Sequence, residues 1–398
     1  MIFARFLAVY ALLYAAFGVQ SPFLPALLAE RGLRPNEIGV VLAASTAVRV
    51  LAGPALAHAA DRWRGHGLSL CTCATAAAMA GIGYLTMSGF RGLLTVALVH
   101  AVALAPIVPV SDALATTAAR QSEVTRGRFE YGWMRAGGSA AFIAGTFLTG
   151  WMASGAGLAS IIWFSGLFLL IGGGTGLLLP GIGEIQPIGS GFRTPTLRDC
   201  ALLLRVAPFR RTLCIAALVE GSHALNDSFS VIIWRSAGIS LSTISFLWSE
   251  SVMAEVLVFL LIGPSLIRRI GAGGACGLAA AAGVVRWSVL AFTTSPLVLT
   301  AAQPLHGLTF ALLHLASMRV IVLVVPSRLA ATAQSVYGTL CVGLATALLT
   351  LLSGPLYQQT GARAFLVMAA LCLAALPMCA GLSASLRHLP STRGGHDA

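Results

Sequence analysis

Long apolar runs separated by short polar stretches constrain this 398-residue chain more than any other feature of its sequence. A helix needs about 20 apolar residues to cross the hydrocarbon core of a bilayer. Twelve such runs are present, and we number them α1 to α12 in chain order: 4–28, 38–60, 68–88, 92–119, 132–154, 157–180, 209–235, 241–265, 274–293, 296–324, 329–354 and 363–385. Charged residues make up only 10% of the chain, against about 25% in soluble domains. The sequence therefore predicts an all-α membrane protein with twelve transmembrane helices and excludes a water-soluble globular protein.

The arginines predict the orientation of the chain, which contains no lysine among its 25 basic residues. If the N-terminus is cytoplasmic, sixteen arginines fall in tails and loops on the cytoplasmic side and five fall in loops on the other side. Positive residues are enriched on the cytoplasmic side of membrane proteins. We therefore expect a multi-pass protein of the cell inner membrane with both termini in the cytoplasm. The first apolar run exceeds signal-peptide length, so we interpret it as a retained span.

The two halves of the chain repeat each other at a constant offset of 206 residues. The matched pairs are Gly32 and Gly238, Ile38 and Ile244, Arg62 and Arg268, His100 and His306, Tyr131 and Tyr337, Gly132 and Gly338, and Gly155 and Gly361. Parallel six-helix repeats place a substrate site at their interface near the membrane midplane. We predict two pseudo-symmetric six-helix bundles, in residues 1–181 and 209–398, joined by a cytoplasmic linker in residues 182–208.

Nine acidic residues and arginines lie deep inside the predicted helices. They are Asp112, Glu220, Asp227, Glu250, Glu255, Arg49, Arg135, Arg286 and Arg319. Each charge at the centre of a bilayer costs about 2.5–3.5 kcal/mol on insertion scales, so we do not expect these residues to face lipid. We predict that they face a cavity or one another. Structural ion pairing between helices is the alternative.

Polar side chains at helical spacing mark one face of α7 and one face of α10. Residues three or four apart in a helix lie on the same face. The stripes are Glu220, His223 and Asp227, flanked by Ser222 and Asn226, and on α10 Gln303, His306, Phe310 and His314. Such stripes are typical of the wall of a hydrated cavity, and a hydrogen-bonded seam between helices is the alternative.

Histidine exchanges protons near neutrality because its unperturbed pKa is about 6.5. An acid or a histidine beside an arginine would therefore form a proton switch. The candidates are Glu255, His314, Arg286 and Arg319. A lone histidine in a membrane helix is more often a hydrogen-bonded packing residue, and we interpret His100 and His306 in this way.

Motifs of other function classes are missing from the sequence. It contains no GxxxxGK[ST] phosphate loop, no HExxH zinc motif and no nucleophile elbow. We therefore expect no enzyme, no cofactor and no metal. The net charge of +12 is spread along the chain without the dense basic stripe that nucleic acid requires. The expected partners are a small-molecule substrate, protons and the lipid bilayer, and we expect a monomer.

Six stretches of the chain resemble the major facilitator superfamily. They are PVSDALA (109–115), YGWMRAGGSAAF (131–142), LWSESVMAEV (247–256), GVVRW (283–287), LHGLTFALLHLASMR (305–319) and LYQQTG (356–361). They are most similar to the branch of the phenylpropionic acid permease, near lactose permease and the nucleoside–proton symporters. The resemblance covers nearly the whole chain. It implies a major facilitator fold and a proton symporter that moves its substrate into the cytoplasm by alternating access.

The resemblance also implies roles for individual residues. Lactose permease has an acid on helix 4 and an arginine on helix 5 at its substrate site, which correspond here to Asp112 and Arg135. Its proton-coupling acid, arginine and histidine on helices 8, 9 and 10 correspond to Glu255, Arg286 and His314, and Arg319 lies where lactose permease is acidic. The loop after α2 keeps Asp61 and Arg62 of the superfamily's gating motif, although Ala57 and Arg64 replace expected glycines.

We predict a proton-coupled importer of a small aromatic carboxylate such as phenylpropionate. A guanidinium suits bidentate capture of a carboxylate, which we assign to Arg135. The ring is assigned to cavity aromatics such as Trp133, Phe229 or Trp234, and the rest of the substrate site to His223, Asn226 and Asp227. Glu220, Asp227 and Glu250 are acids beyond those expected from the resemblance, and their negative charge disfavours an anionic substrate. A sugar or nucleoside proton symporter is therefore the alternative. A non-transporting membrane sensor on a transporter fold is the alternative of another class.

Overall fold

A computed structural model of the chain describes residues 2–63, 65–124, 131–179 and 197–387. Within these ranges the regular structure is entirely helical. The twelve predicted helices are all present, and each lies close to its predicted position. The predicted all-α architecture is therefore confirmed.

The first half of the chain contributes α1 to α6. In order they are Ile2–Gln20 with Leu24–Glu30, Pro35–Trp63, His66–Thr86, Gly89–Leu104 with Ile107–Val124, Tyr131–Ala156, and Ser160–Gly176. The breaks in α1 and α4 contain Pro22 and Pro106. Proline interrupts a helix because it lacks the amide donor and its ring clashes with the preceding turn.

The second half contributes α7 to α12. α7 comprises Ala207–Val219, Gly221–His223 and Ala224–Ser236, and α8 and α9 together comprise Leu241–Leu257, Val258–Ile262 and Gly263–Phe292. α10 comprises Pro296–Ala302, Gly307–Leu312 and Leu313–Val324. α11 comprises Ser327–Leu329, Ala330–Ser335, Val336–Gly343 and Leu344–Thr360, and α12 comprises Gly361–Ala364 and Phe365–Arg387. Gly271, with φ 73° and ψ 165°, separates α8 from α9. Only glycine adopts this backbone conformation readily, which allows a turn of one residue.

The backbone supports the predicted repeat at one pair of glycines and contradicts it at another. Gly32 and Gly238, which the offset pairs, have similar φ angles of 86° and 82°. The predicted pairing of Gly155 with Gly361 is wrong, because Gly155 is helical whereas Gly361 has a φ of 58°. Its equivalent is Gly157, with a φ of 73°. The repeat therefore slips by two residues at this turn.

The two halves meet where α2 packs on α11 and where α5 packs on α8. These contacts are equivalent under the repeat, since α2 and α5 correspond to α8 and α11. A Cβ added to Gly354 of α11 would lie 2.7 Å from the carbonyl oxygen of Pro35 on α2. A Cβ added to Gly150 of α5 would lie 3.0 Å from the Cα atom of Ser242 on α8. Small residues thus bring the backbones of the halves together.

An ion pair joins the halves at the same end of these helices. Arg235 at the end of α7 lies 2.7 Å from the carboxylate of Glu30 at the end of α1. We call this end of the molecule the closed end. Under the orientation predicted from the arginines, the closed end faces away from the cytoplasm.

Seven continuous helical stretches are long and apolar enough to cross a membrane. Two of them, Leu241–Phe292 and Thr332–Arg387, are 52 and 56 residues long and each holds two of the twelve helices. A short helix, Leu197–Arg205, precedes α7. Residues 180–196 lie outside the described ranges, so the bundle limits at 181 and 209 stay predictions.

Candidate functional site

A cavity of about 710 Å³ lies between the two halves, within the range of 300–1,000 Å³ typical of small-molecule sites. Residues of α1 to α5 form one wall, and residues of α7, α8, α10 and α11 form the other. The ionisable and imidazole side chains at the wall are Arg49, His100, Glu220, His223, Asp227, Glu255 and His306. Six of these seven were singled out from the sequence as embedded charges or helix-face polar residues, and His100 as a packing residue. The cavity therefore gathers polar groups that are far apart in the chain.

The polar stripe of α7 faces this cavity. Glu220, His223 and Asp227 all line it. Asn226 donates a 3.2 Å hydrogen bond to Asp227 but is only 3% exposed. Within the described residues, Nε2 of His223 and Oδ1 of Asn226 have no hydrogen-bond partner. Unsatisfied buried polar atoms cost about 1–3 kcal/mol each. His223 lines the cavity, so its Nε2 is available to water or a ligand, whereas Asn226 is not part of the cavity wall.

Arg286, His306 and Glu255 form a continuous polar contact across α9, α10 and α8. Nη1 of Arg286 lies 3.0 Å from Nδ1 of His306, and Nη2 donates a 2.8 Å hydrogen bond to Gln303. Nε2 of His306 lies 3.4 Å from the carboxylate of Glu255. A guanidinium can only donate, so neutral His306 accepts at Nδ1 and carries its proton on Nε2, toward Glu255. His306, interpreted from the sequence as a packing residue, is instead the link between the predicted acid and arginine.

Aromatic rings surround His306. The His223 ring lies 5.0 Å from it, and Phe310 stacks on it at 5.7 Å. Trp287 packs edge-on against His223 at 5.1 Å and donates a 2.8 Å hydrogen bond to Ser222. These rings fix the position of the imidazole between Arg286 and the cavity.

Three π-helical segments adjoin this polar region. Val258–Ile262 follows Glu255, Gly307–Leu312 follows His306, and Val336–Gly343 contains Tyr337. Segments of this kind are frequent at functional sites. The Tyr337 hydroxyl donates a 2.6 Å hydrogen bond to Glu220, which ties α11 to α7.

His314 and Arg319 lie further along α10. His314 lies in electrostatic range of Glu255, and its ring is 5.9 Å from those of Phe259 and Tyr337. Arg319 is exposed and makes no hydrogen bond or ion pair with another described residue. Its part in proton coupling stays a prediction.

Asp112 and Arg135 form a second polar cluster, in the first half. Their charged groups are 3.6 Å apart, and the Tyr10 hydroxyl donates a 2.5 Å hydrogen bond to Asp112. Arg135 donates to the Tyr14 hydroxyl and lies 5.5 Å from the centre of that ring. Among the described residues, neither Asp112 nor Arg135 forms part of the cavity wall. Arg135 nevertheless lies in electrostatic range of Glu255.

The spacing of Tyr10 and Tyr14 in α1 could have indicated their shared face, but not their partners on α4 and α5.

The aromatic residues predicted to hold the substrate ring do not line the cavity. Phe229 and Trp234 are buried in the core, and Trp133 is 65% exposed. The aromatic residues at the wall are Phe17, Tyr84, Phe142, Trp248 and Phe310.

The side chains of Asp61 and Arg62 lie outside the described part of the chain, so their gating role stays a prediction. Within the described residues, no group of three or more His, Cys, Asp or Glu side chains is placed to hold a metal ion.

Comparison with known proteins places the chain among transporters. The profile of the MFS_1 like family matches residues 3–182 and 192–368. The chain is 32% identical over 376 residues to the "Probable 3-phenylpropionic acid transporter" of Escherichia coli (strain K12), covering 94% of this chain and 96% of that protein. It is 26% identical over 353 residues to the maltose permease of Geobacillus stearothermophilus, covering 88% of this chain and 86% of that protein.

Solved structures share the fold. A mutant of the nucleoside transporter NupG matches with a TM-score of 0.86 at 16% identity, covering 96% of this chain and all of that one. A bacterial homologue of the human lysosomal transporter Spinster, in an inward-facing and unoccupied conformation, matches with a TM-score of 0.71 at 13% identity and covers 96% of each chain. At these identities the matches establish the fold alone.

Proposed function

The chain belongs to the MFS_1 like family of the major facilitator superfamily, and from this premise we propose that it imports a small aromatic carboxylate together with protons. It is a transporter with membrane-spanning helices, not an enzyme. The observation that carries the proposal is the cavity between the halves, where Glu255 and His306 meet beside aromatic side chains.

The lining of the cavity supports an amphipathic substrate. Five aromatic residues at the wall offer apolar surface to a ring, and polar groups of both halves offer partners to a charged group. The relative with 32% identity is named for 3-phenylpropionic acid, a molecule with one ring and one carboxyl group.

Charge balance in the cavity supports proton coupling. Glu220, Asp227 and Glu255 already line it. Two like charges 4 Å apart repel each other by about 4 kcal/mol at an effective dielectric constant of 20. An anionic substrate therefore binds best when a proton enters with it. Glu255 would carry that proton, because its carboxyl group lines the cavity and lies 3.4 Å from Nε2 of His306, a group that can exchange protons with it.

The arrangement of the halves supports alternating access. The Glu30–Arg235 ion pair and the tight α2–α11 and α5–α8 contacts hold the closed end together. Transport then requires these contacts to break while the opposite ends of the halves approach each other. We place the protein in the inner membrane with cytoplasmic termini, as the arginine distribution predicts.

Sugar or nucleoside symport is the second candidate. The three carboxyl groups at the cavity wall are hydrogen-bond acceptors of the kind that bind substrate hydroxyls. The relative from Geobacillus stearothermophilus is a maltose permease, which agrees with this reading.

Competition in proteoliposomes tests the proposal. Uptake of labelled 3-phenylpropionate is measured under an inward proton gradient, with unlabelled 3-phenylpropionate, maltose or uridine as competitor. We expect saturable uptake that only 3-phenylpropionate inhibits. Inhibition by maltose or uridine would favour the second candidate. Absence of 3-phenylpropionate flux would overturn the aromatic-carboxylate proposal, and absence of flux with labelled maltose and uridine as well would favour a non-transporting sensor.

A further inference from the structure

Arg49 of α2 is a charged residue of the cavity wall that the proposed mechanism does not use. Its side chain is exposed and lines the cavity. Within the described part of the chain it makes no hydrogen bond or ion pair. A guanidinium stays charged in proteins, and an unpaired charge inside a membrane protein is costly. Among the described residues, Arg49 therefore has no anionic partner.

The internal repeat accounts for the missing anionic partner of Arg49. The offset of 206 residues relates Arg49 to Glu255 and His100 to His306. In the second half these positions hold an acid and a histidine 3.4 Å apart. In the first half they hold two basic side chains in electrostatic range of each other, which cannot neutralise one another. Both pairs line the same cavity, which thus has one acidic wall and one basic wall.

The other charged groups near the cavity already have partners. The pairs are Glu220 with Tyr337, Asp227 with Asn226, Glu255 with His306, Arg286 with Gln303, and Arg135 with Asp112. Because the other charged groups have partners and Arg49 has none among the described residues, Arg49 is the cation available to a ligand.

We propose that Arg49 binds the carboxylate of the transported substrate. The ligand class is an amphipathic monoanion whose ring lies against the aromatic side chains of the cavity, such as Tyr84, which packs on His100 at 5.5 Å. The inference rests on the proposed import of an aromatic carboxylate. It assigns the substrate carboxylate to Arg49 in the cavity instead of to Arg135, whose guanidinium already contacts Asp112 and Tyr14.

A charge-discrimination experiment tests this assignment. Binding of 3-phenylpropionate and of its neutral analogue 3-phenylpropionamide is measured by calorimetry on the purified full-length protein. A charged hydrogen bond contributes about 1.5–3 kcal/mol, so we expect the wild type to prefer the acid at least roughly tenfold. Arg49→Gln is expected to lower that ratio to about one while leaving affinity for the amide unchanged. Arg91→Gln, an exposed arginine in the first turn of α4 and outside the cavity wall, is the matched control and should keep the wild-type ratio.

The outcomes separate the two proposals. A wild type that binds neither compound overturns the aromatic-carboxylate function and the inference with it. A wild-type preference that persists in Arg49→Gln overturns only the role of Arg49. If Arg49→Gln does not fold, Arg49→Lys decides, because an ammonium cannot form the bidentate pair. We expect weaker binding of the acid and unchanged binding of the amide in Arg49→Lys, and unchanged binding of the acid would reject the assignment.

Discussion

Glu255 is the residue through which the proposed proton coupling runs, since His306 contacts its carboxylate at 3.4 Å. Glutamine keeps the shape of the side chain but cannot release a proton. We expect Glu255→Gln to retain substrate counterflow and to lose accumulation driven by a proton gradient, which is worth about tenfold per pH unit. Labelled-substrate counterflow and gradient-driven uptake are measured in the same vesicles. Glu37→Gln, in the first turn of α2 and outside the cavity wall, serves as control, and gradient-driven accumulation in Glu255→Gln equal to that control would exclude Glu255 from coupling.

Arg135 neutralises Asp112 at 3.6 Å, in a cluster completed by Tyr10 and Tyr14. Its removal leaves the carboxylate of Asp112 without its counter-ion. We expect Arg135→Ala to abolish saturable uptake while the protein still inserts into the membrane. Uptake rates and membrane protein level are compared with the wild type. Undiminished uptake would show that transport does not depend on the contact between Arg135 and Asp112.

Local spacing predicted part of this site. Glu220, His223 and Asp227 share a face because helical periodicity is a property of one segment, and all three line the cavity. The partners across helices could not be predicted in this way. Tyr10 reaches Asp112 across 102 residues of sequence, and only the packing of α1 on α4 brings them together.

At the scale of helices, the contact between α2 and α11 depends on Gly354. A methyl group there would lie 2.7 Å from the backbone oxygen of Pro35, and the backbone cannot move aside as a side chain can. We expect Gly354→Ala to lower the free energy of unfolding by about 1–3 kcal/mol through overpacking. Gly174→Ala, in open space on α6, is the matched control and should leave the thermal midpoint unchanged. Equal midpoints for both variants would show that the halves pack less tightly here.

Hydropathy located the helices because spanning length is set by the bilayer, but it did not locate their ends or breaks. α4 is predicted as one run over 92–119, whereas Pro106 divides it. α8 is predicted to end at 265, whereas the helix continues to Gly271, whose positive φ makes a turn without further residues. These features depend on single residues that a hydropathy average does not detect.

At the scale of the whole molecule, the Glu30–Arg235 pair stabilises the closed end. Both side chains are partly exposed, at 42% and 35%, so the pair is worth at most about 1 kcal/mol. We expect Glu30→Arg or Arg235→Glu alone to accelerate hydrogen exchange at the ends of α1 and α7, and the double reversal to restore it. Exchange that is equally fast in the double variant would show that the pair does not hold the halves together.

The internal repeat predicted the relation of the two halves, and the packing of α2 on α11 and of α5 on α8 follows its symmetry. It could not predict which wall carries which charge, because Arg49 and Glu255 occupy equivalent positions with opposite signs. That asymmetry is the physical basis proposed for moving an anion and a proton through one cavity.

Substrate-driven proton movement tests the central claim most directly. Labelled 3-phenylpropionate is added to lightly buffered proteoliposomes while external pH and influx are recorded together. The account predicts alkalinisation of the medium that begins with influx and saturates over the same substrate range. Influx without alkalinisation, or neither signal from correctly inserted protein, would contradict it.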